Sequence, residues 1–192
     1  MKTIHVISAN PHLDSLSHEL SLAYASSAKD AGYTVSFTHI VTLKFDYNLQ
    51  PSSKLEPDLL AEQKLIKHAE HIVLVTPLWW NTYPACLKAY FDRIIVPGFA
   101  FNYPHPNRLL RPFIPKRHLK DTSARIINTQ DSPALFTLAL GAPLSIGMRF
   151  AVLWFSGVWP VRRTRFSRVR KADNTKRQKW LNKVAELGAK GK

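Results

Sequence analysis

The feature that most constrains the fold of this chain is a regular alternation of two kinds of segment. Short apolar runs rich in β-branched residues alternate with longer segments whose apolar residues recur at helical spacing. This alternation predicts a parallel sheet with helices on both faces. The predicted strands are 3–8, 34–40, 71–75 and 124–129, and residues 157–162 begin a last strand. The predicted helices are 15–31, 57–70, 84–96, 145–156 and 174–187. We expect Asn174 to cap the last helix, Gly188 to end it, and residues 1–192 to form one domain.

Flat side chains follow the third predicted strand. Pro77 ends that strand, because proline has no N–H for a sheet ladder, and Pro84 is suited to the first turn of the next helix. Leu78, Trp79 and Trp80 lie in the loop between them. Ligands of open α/β sheets bind at the carboxyl ends of the strands. We therefore interpret this loop as the wall of a site for a flat aromatic cofactor. The alternative is that both tryptophans belong to the core or to an interface.

The loop after the first predicted strand is rich in short polar side chains and leads directly into a helix. It contains Asn10, His12, Ser15 and Ser17. Hydroxyl groups and free backbone N–H groups at a helix N-terminus make a phosphate site. The alternative is that Ser15 only caps the helix. The loop is neither a Walker A loop nor a G-x-G-x-x-G loop, so ATP-type and Rossmann-type sites are not favoured.

The loop after the fourth predicted strand, Asn128-Thr-Gln-Asp131, supplies amide, hydroxyl and carboxylate groups. Such groups suit the polar edge of a ring rich in nitrogen and carbonyl groups. The alternative is an ordinary capped turn. Because the three loops converge at one edge of a doubly wound sheet, they together describe a pocket for flavin mononucleotide.

Four segments of the chain resemble the flavodoxin-like NAD(P)H:quinone oxidoreductases, the group of DT-diaphorase and the bacterial drug-activity modulators. The segments are residues 10–17, 76–93, 97–101 and 128–131, and the most specific is the run Pro-Leu-Trp-Trp…Pro-Ala…Leu-Lys…Phe-Asp-Arg within 76–93. The resemblance implies a flavodoxin-like three-layer α/β/α sandwich with a five-stranded parallel sheet. It also implies a homodimer.

The same resemblance implies a reaction and a set of cofactor contacts. NAD(P)H would reduce bound FMN or FAD and leave, and a quinone or similar acceptor would then take its place, in a two-electron ping-pong reaction. The flavin phosphate would contact His12, Ser15, Leu16 and Ser17. The ring would lie against Pro77, Leu78, Trp79, Trp80 and Asn81, and its pyrimidine side against Asn128, Thr129, Gln130 and Asp131.

The chain departs from this family at two positions. Where relatives carry a tyrosine and a histidine that relay charge during hydride transfer, this chain has Phe136 and a residue near Ala142. Neither of these side chains can transfer a proton. We therefore assign no catalytic acid or base. Tyr83, Tyr103 and His105 are candidates for the lining of the acceptor pocket, although residues of these types are more often found in packing or at the surface.

Charge and composition suggest where the protein works and what it meets. The single cysteine, Cys86, favours a reducing compartment, and we expect a cytoplasmic protein. The formal net charge is +14 and is concentrated in residues 162–192 and 108–125. No nucleic-acid motif accompanies this charge, so nucleic-acid binding is the least favoured function. The basic C-terminal region suits an acidic partner or a membrane surface. The main alternative function is a regulatory subunit of a glutathione-gated potassium efflux system.

Overall fold

A five-stranded sheet, in which every pairing is parallel, forms the centre of the molecule. The computed structural model describes residues 1–49, 54–103, 115–139 and 147–192. In spatial order the strands are β2 (Thr34–His39), β1 (Thr3–Ser8), β3 (His71–Pro77), β6 (Ser123–Thr129) and β7 (Val161–Phe166). β4 (Phe101–Asn102) and β5 (Lys116–Arg117) form a separate antiparallel pair. From β1 the chain continues to β2 on one side and later to β3 on the other, so the loops after β1 and β3 turn away from each other. This leaves a crevice between the carboxyl ends of β1 and β3.

Helices connect the strands and cover both faces of the sheet. They are α1 (Leu16–Asp30), α2 (Pro57–His68), α3 (Ala85–Ile94), α4 (Ala134–Ala139), the π-helical α5 (Gly147–Trp154) and α6 (Asn174–Ala189). The predicted three-layer α/β/α architecture is confirmed.

Two hydrophobic clusters separate the sheet from its helical layers. Val73 and Val75 of β3 belong to one cluster, together with Tyr24 of α1 and Val184 of α6. The intervening Leu74 belongs to the other cluster, which includes residues of α2 and α3. Successive side chains of a strand point to opposite faces, so a strand covered on both faces must be apolar throughout. This is why the third predicted strand could be recognised as an uninterrupted apolar run.

A buried carboxylate anchors α2 to the sheet. Glu62 accepts hydrogen bonds from Thr38 (2.6 Å) and Tyr90 (2.7 Å) and lies 3.2 Å from His5 Nε2. Burial by itself would raise the pKa of Glu62, but the contacts with His5, Thr38 and Tyr90 hold that pKa below its ordinary value. The network therefore keeps a charged group inside the protein by satisfying its oxygens.

The last strand begins later than the sequence predicts. The predicted strand begins at Gly157, whereas β7 covers Val161–Phe166. Gly157 has a φ of +109° and lies in a turn, and Pro160 lacks the N–H that a ladder requires, so the apolar run at 157–160 precedes the strand without regular structure. Residues Arg162, Arg163 and Arg165 lie within the strand itself. β7 is an edge strand, where charged side chains are common.

Helix α6 differs from the prediction at both ends. Asp173, rather than Asn174, is the N-cap, because its carboxylate accepts a 2.7 Å hydrogen bond from Lys176 N. Gly188 does not end the helix but lies inside it, where a Cβ atom would overlap the carbonyl oxygen of Tyr24. The glycine is needed because α1 and α6 approach each other closely at this point.

Some predicted features fall partly or wholly outside the described residues. These are His105, Ala142, the start of the predicted helix 145–156, and most of the proline-rich excursion 99–115. The short helix α4 was not predicted. Within the described residues, no helix has the length and apolarity that crossing a membrane requires.

Candidate functional site

A cavity of about 260 Å³ opens at the carboxyl ends of β1, β3 and β6. It brings together nine of the thirteen predicted site residues. They are Ser15, Leu16, Ser17, Pro77, Leu78, Trp79, Thr129, Gln130 and Asp131. The remaining lining residues are Asn10, Val169 and Arg170. Below, we call this the cofactor cavity.

Hydrogen bonds shape the β1–α1 loop into a cradle at the start of α1. Asn10 Nδ2 donates to Ser17 Oγ (2.7 Å), and Asn10 Oδ1 accepts from His12 N (2.9 Å). Ser15 Oγ caps α1 by accepting from His18 N (3.3 Å). The first backbone N–H groups of a helix have no partner within the helix, and those of Leu16 and Ser17 occupy that position here. The capping role of Ser15 is therefore compatible with a phosphate site.

His12 lies beside the cofactor cavity rather than in its wall. Its side chain is exposed, and its ring centroid is 6.3 Å from that of Trp79. A direct contact between His12 and a phosphate stays a prediction.

The aromatic loop after β3 is a tight turn that places Trp80 entirely in solvent. Trp79 and Thr82 exchange backbone hydrogen bonds of 2.8 and 2.9 Å, so the turn has two central residues. These residues, Trp80 and Asn81, have φ values of +50° and +63°. Positive φ at both central positions is typical of a type I′ turn. The turn separates Trp79, in the cavity wall, from Trp80 and Asn81, which do not line the cavity.

Exposure decides one of the alternatives for the tryptophans. Trp79 is 42% exposed and Trp80 is 100% exposed. Neither is a core residue, so that alternative is wrong. A role in an interface with another chain stays open.

The loop after β6 supplies a fixed polar edge. The backbone N–H of Leu78 donates to Thr129 O (2.7 Å), which joins the aromatic loop to the end of β6. The Gln130 amide donates to Ser132 O (2.9 Å) and to Thr137 Oγ1 of α4 (2.8 Å). The unpredicted helix α4 thus holds Gln130 in place.

Asn128 supports the cavity from behind and does not line it. It is fully buried, donates to Gln130 Oε1 (3.2 Å) and accepts from Arg163 Nε (2.9 Å). Its predicted contact with a flavin ring therefore stays a prediction, and what the structure supports directly is the positioning of Gln130.

Sequence reasoning missed the fourth segment of the site, which follows β7. Val169 N donates to Gln130 O (3.2 Å), and Arg170 N donates to Asp131 Oδ1 (3.1 Å). Both Val169 and Arg170 line the cavity. The signal was available, because a loop after the last parallel strand must reach the same sheet edge. The predicted strand had a beginning but no defined end, so the residues that follow it were not placed at that edge.

The lining contains few groups that can carry charge. Among the lining residues that the structure describes, Asp131 and Arg170 are the only ionisable side chains, and they lie at the rim with 3.6 Å between Arg170 Nε and Asp131 Oδ2. Phe136 is exposed and has no titratable group. Within the described residues, no three histidine, cysteine or acidic side chains are grouped as metal ligands. The site is suited to binding a cofactor that carries its own reactivity.

Sequence comparisons find related oxidoreductases over parts of the chain. NAD(P)H dehydrogenase [quinone] 1 of Rattus norvegicus is 39% identical over 64 residues, which are 31% of this chain and 23% of the relative. FMN-dependent NADH:quinone oxidoreductase 2 of Photobacterium profundum is 30% identical over 108 residues, which are 50% of this chain and 54% of the relative. The matches thus span about a quarter to a half of these relatives.

Structural comparisons extend over nearly the whole chain. Smu.1420 from Streptococcus mutans superposes with a TM-score of 0.84 and 26% identity, over 99% of this chain and 100% of the other. NAD(P)H:quinone oxidoreductase from Methanothermobacter marburgensis gives a TM-score of 0.81 and 21% identity, over 100% and 99% of the two chains. The second likeness shows a shared fold. A family profile described as "Flavodoxin-like fold" matches residues 2–187, so this chain belongs to the family with that flavodoxin-like fold.

Proposed function

We propose that this protein is a flavin-dependent oxidoreductase that passes two electrons from NAD(P)H to a quinone or a similar acceptor. The observation that carries the proposal is the convergence of three separately predicted loops on one cavity, with nine predicted residues in its wall. The named activities of the relatives from Rattus norvegicus and Photobacterium profundum support the same reaction class.

The residues of the cofactor cavity fit FMN. The serine hydroxyls and backbone N–H groups at the start of α1 suit its phosphate. Leu78 and Trp79 provide an apolar wall, and the loop residues Thr129, Gln130 and Asp131 provide a polar edge. Bound FMN would supply the two-electron chemistry, and the chain would supply binding and orientation.

The described inner wall of the cofactor cavity has no group suited to proton transfer, which supports a reaction carried out by the flavin alone. Donor and acceptor would occupy the same place in turn, in a ping-pong reaction, beside the exposed rings of Trp79 and Trp80. The side chains would orient the two reactants and would not transfer protons to them.

A spectrum and an activity assay test this function. The purified protein should bind FMN, show flavin absorbance and oxidise NADPH or NADH only when a soluble quinone is present. Extraction of the flavin and measurement of its mass will distinguish FMN from FAD. If added flavin does not bind and neither donor is oxidised, the proposal is wrong. Flavin binding without quinone turnover would instead favour a regulatory subunit.

Ser17 provides a matched variant for the phosphate contact. Ser17→Ala should weaken FMN binding by about ten- to a hundredfold, because a hydrogen bond to a charged group contributes roughly 1.5–3 kcal/mol. Ser26→Ala is the control, since Ser26 is exposed on the same helix, outside the cavity. Equal FMN affinity in both variants would contradict the assignment of the phosphate to the start of α1.

We also propose that the protein is a homodimer. A groove of about 360 Å³ with apolar walls, including Tyr83, Phe91 and Phe101, lies outside the cofactor cavity. Exposed Trp80 and Tyr103 add to the apolar surface of the chain. Such exposed apolar area is typical of interfaces. Light scattering coupled to size-exclusion chromatography should give twice the 21.9 kDa mass of one chain, and a single-chain mass would contradict the proposal.

A further inference from the structure

A second, larger cavity lies along the outer edge of the sheet. It measures about 540 Å³ and is lined by Arg163, Arg165, Phe166, Ser167, Lys176 and Trp180. We call it the basic groove, because half of these side chains are cationic.

The basic groove and the cofactor cavity lie on either side of one short segment that follows β7. Phe166 lines the basic groove and Val169 lines the cofactor cavity. Gln130 N donates to Phe166 O (2.9 Å) and Gln130 O accepts from Val169 N (3.2 Å), so both ends of the segment are fastened to the cavity wall. Four residues of extended chain reach at most about 14 Å, so the two sites are within reach of one dinucleotide.

The walls of the basic groove combine phosphate-binding groups with an aromatic surface. Arg163 and Arg165 point to one side of β7, and Phe166 points to the other side, toward Trp180 of α6, because side chains alternate along a strand. The groove therefore runs around the exposed edge of β7. A guanidinium group binds phosphate through parallel hydrogen bonds. On α6, Lys176 Nζ lies 5.4 Å from the centre of the Trp180 ring. An indole with a neighbouring cation offers a purine a surface for stacking and its phosphate a counter-charge.

Positive charge is concentrated enough at the groove to affect protonation. Burial, Arg165 and Arg149 together lower the pKa of Arg163 to about 10. An anion that entered the groove would relieve this repulsion. The charge pattern therefore agrees with the shape and chemistry of the walls in indicating an anionic ligand.

We propose that the basic groove binds the 2′-phosphate of NADPH and so makes NADPH a better electron donor than NADH. This inference rests on the proposed function, since it assigns the donor of that reaction. The extra phosphate is the only chemical difference between the two donors, and arginine side chains accommodate it in dinucleotide sites. The ADP half of a bound FAD shares this chemistry, so the experiment must separate the two sources.

Donor preference is the first measurement. The flavin-loaded wild-type protein should have a kcat/KM for NADPH at least about tenfold above that for NADH, since each charge-assisted hydrogen bond changes affinity by about that factor. Lys176→Gln and Arg165→Gln should each lower the NADPH/NADH ratio of kcat/KM by about tenfold, mainly through KM for NADPH. Lys179→Gln is the control, because Lys179 is exposed on the same helix but does not line the groove. It should leave the ratio unchanged.

Direct binding is the second measurement, and it does not depend on turnover. Adenosine 2′,5′-bisphosphate should bind the wild-type protein more tightly than adenosine 5′-monophosphate, and Lys176→Gln should reduce that difference. If the protein reduces no quinone but shows this selectivity, the proposed function fails while the anion site survives. Equal donor preference in the wild-type protein, or equal effects of Lys176→Gln and Lys179→Gln, would overturn the inference. Loss of extracted FAD from the Lys176→Gln protein would also overturn it, by assigning the groove to the cofactor.

Discussion

Replacing Trp80 with asparagine should stabilise the protein while lowering its activity. Trp80 has a φ of +50°, and its side chain is fully exposed. A left-handed conformation costs most residues roughly 1–2 kcal/mol, whereas asparagine adopts it more readily. The exposed ring buries almost no surface within the chain, so its removal forfeits little hydrophobic free energy. We expect Trp80→Asn to raise the free energy of unfolding by about 1 kcal/mol, which for this size raises Tm by roughly 2–4 °C.

Trp80→Ala is the matched control, because alanine removes the same ring but retains the conformational cost. Its free energy of unfolding should stay within about 0.5 kcal/mol of the wild-type value. Both variants should be compared by urea unfolding in flavin-free protein, since a bound ligand adds its own stabilisation. If the ring contacts donor or acceptor, both variants should lose the same fraction of quinone-dependent turnover.

Two results would refute this reasoning. A loss of stability in Trp80→Asn would mean that the ring is covered, for example by a second copy of the chain, or that the turn is not left-handed. An equal gain in Trp80→Ala would mean that the gain comes from removing the ring and not from relieving the backbone.

Three further predictions concern stability and pH. Gly188→Ala should lower the free energy of unfolding by about 1–3 kcal/mol, measured as a lower urea midpoint, because the new Cβ would overlap the carbonyl oxygen of Tyr24. This overlap outweighs the higher helix propensity of alanine, which by itself favours the helix by about 1 kcal/mol. An unchanged midpoint would contradict the close approach of α1 and α6. Tyr90→Phe should cost roughly 1.5–3 kcal/mol in the same assay, because it removes a buried hydrogen bond to the Glu62 carboxylate; a neutral effect would mean that this carboxylate is not charged. Burial and a neighbouring histidine lower the pKa of His39 from 6.5 to about 4, so the unfolded chain binds its proton first and stability should fall as pH drops from 6.5 towards 4. For His39 alone, linkage gives a loss of roughly 2–3 kcal/mol by pH 4.5. Burial also lowers the pKa of His71, to about 3, which adds a loss in the same pH range, so His39→Leu should reduce the difference in the free energy of unfolding, measured by urea unfolding, between pH 7.5 and 4.5 without abolishing it.

The sequence was most informative where backbone geometry follows from side-chain pattern. The uninterrupted apolar run of β3 and the helical spacing that follows it were enough to predict a parallel sheet and the edge at which its loops meet. Ser15, Trp79 and Gln130 lie in the cavity because each belongs to the loop after a strand whose end could be predicted.

The sequence was least informative where tertiary context overrides local preference. Nothing in a Trp-Asn pair favours positive φ at a tryptophan, so the separation of Trp79 from Trp80 could not be predicted. The sequence could not show that Asn128 forms hydrogen bonds with Gln130 and Arg163 behind the cavity wall. Its contact with a ligand stays a prediction. The position of β7 was not predicted correctly, because its arginines do not form the apolar run that indicates a buried strand. Such charged residues are typical of an edge strand.

The arginines of β7 have a further consequence for how the two cavities are connected. Protecting a sheet edge requires only hydrated charges at the surface, and such a charge keeps its ordinary pKa. Arg163 is instead half-buried, with its pKa lowered to about 10, which edge protection alone does not require. Its Nε donates to Asn128, which in turn donates to Gln130 in the wall of the cofactor cavity. One guanidinium group therefore contributes to the basic groove and also positions the polar edge of the cofactor site. Truncation of Arg163 should disturb both sites together, whereas truncation of Lys176 should disturb the groove alone, and this is why Lys176 and Arg165 are the better probes of donor preference.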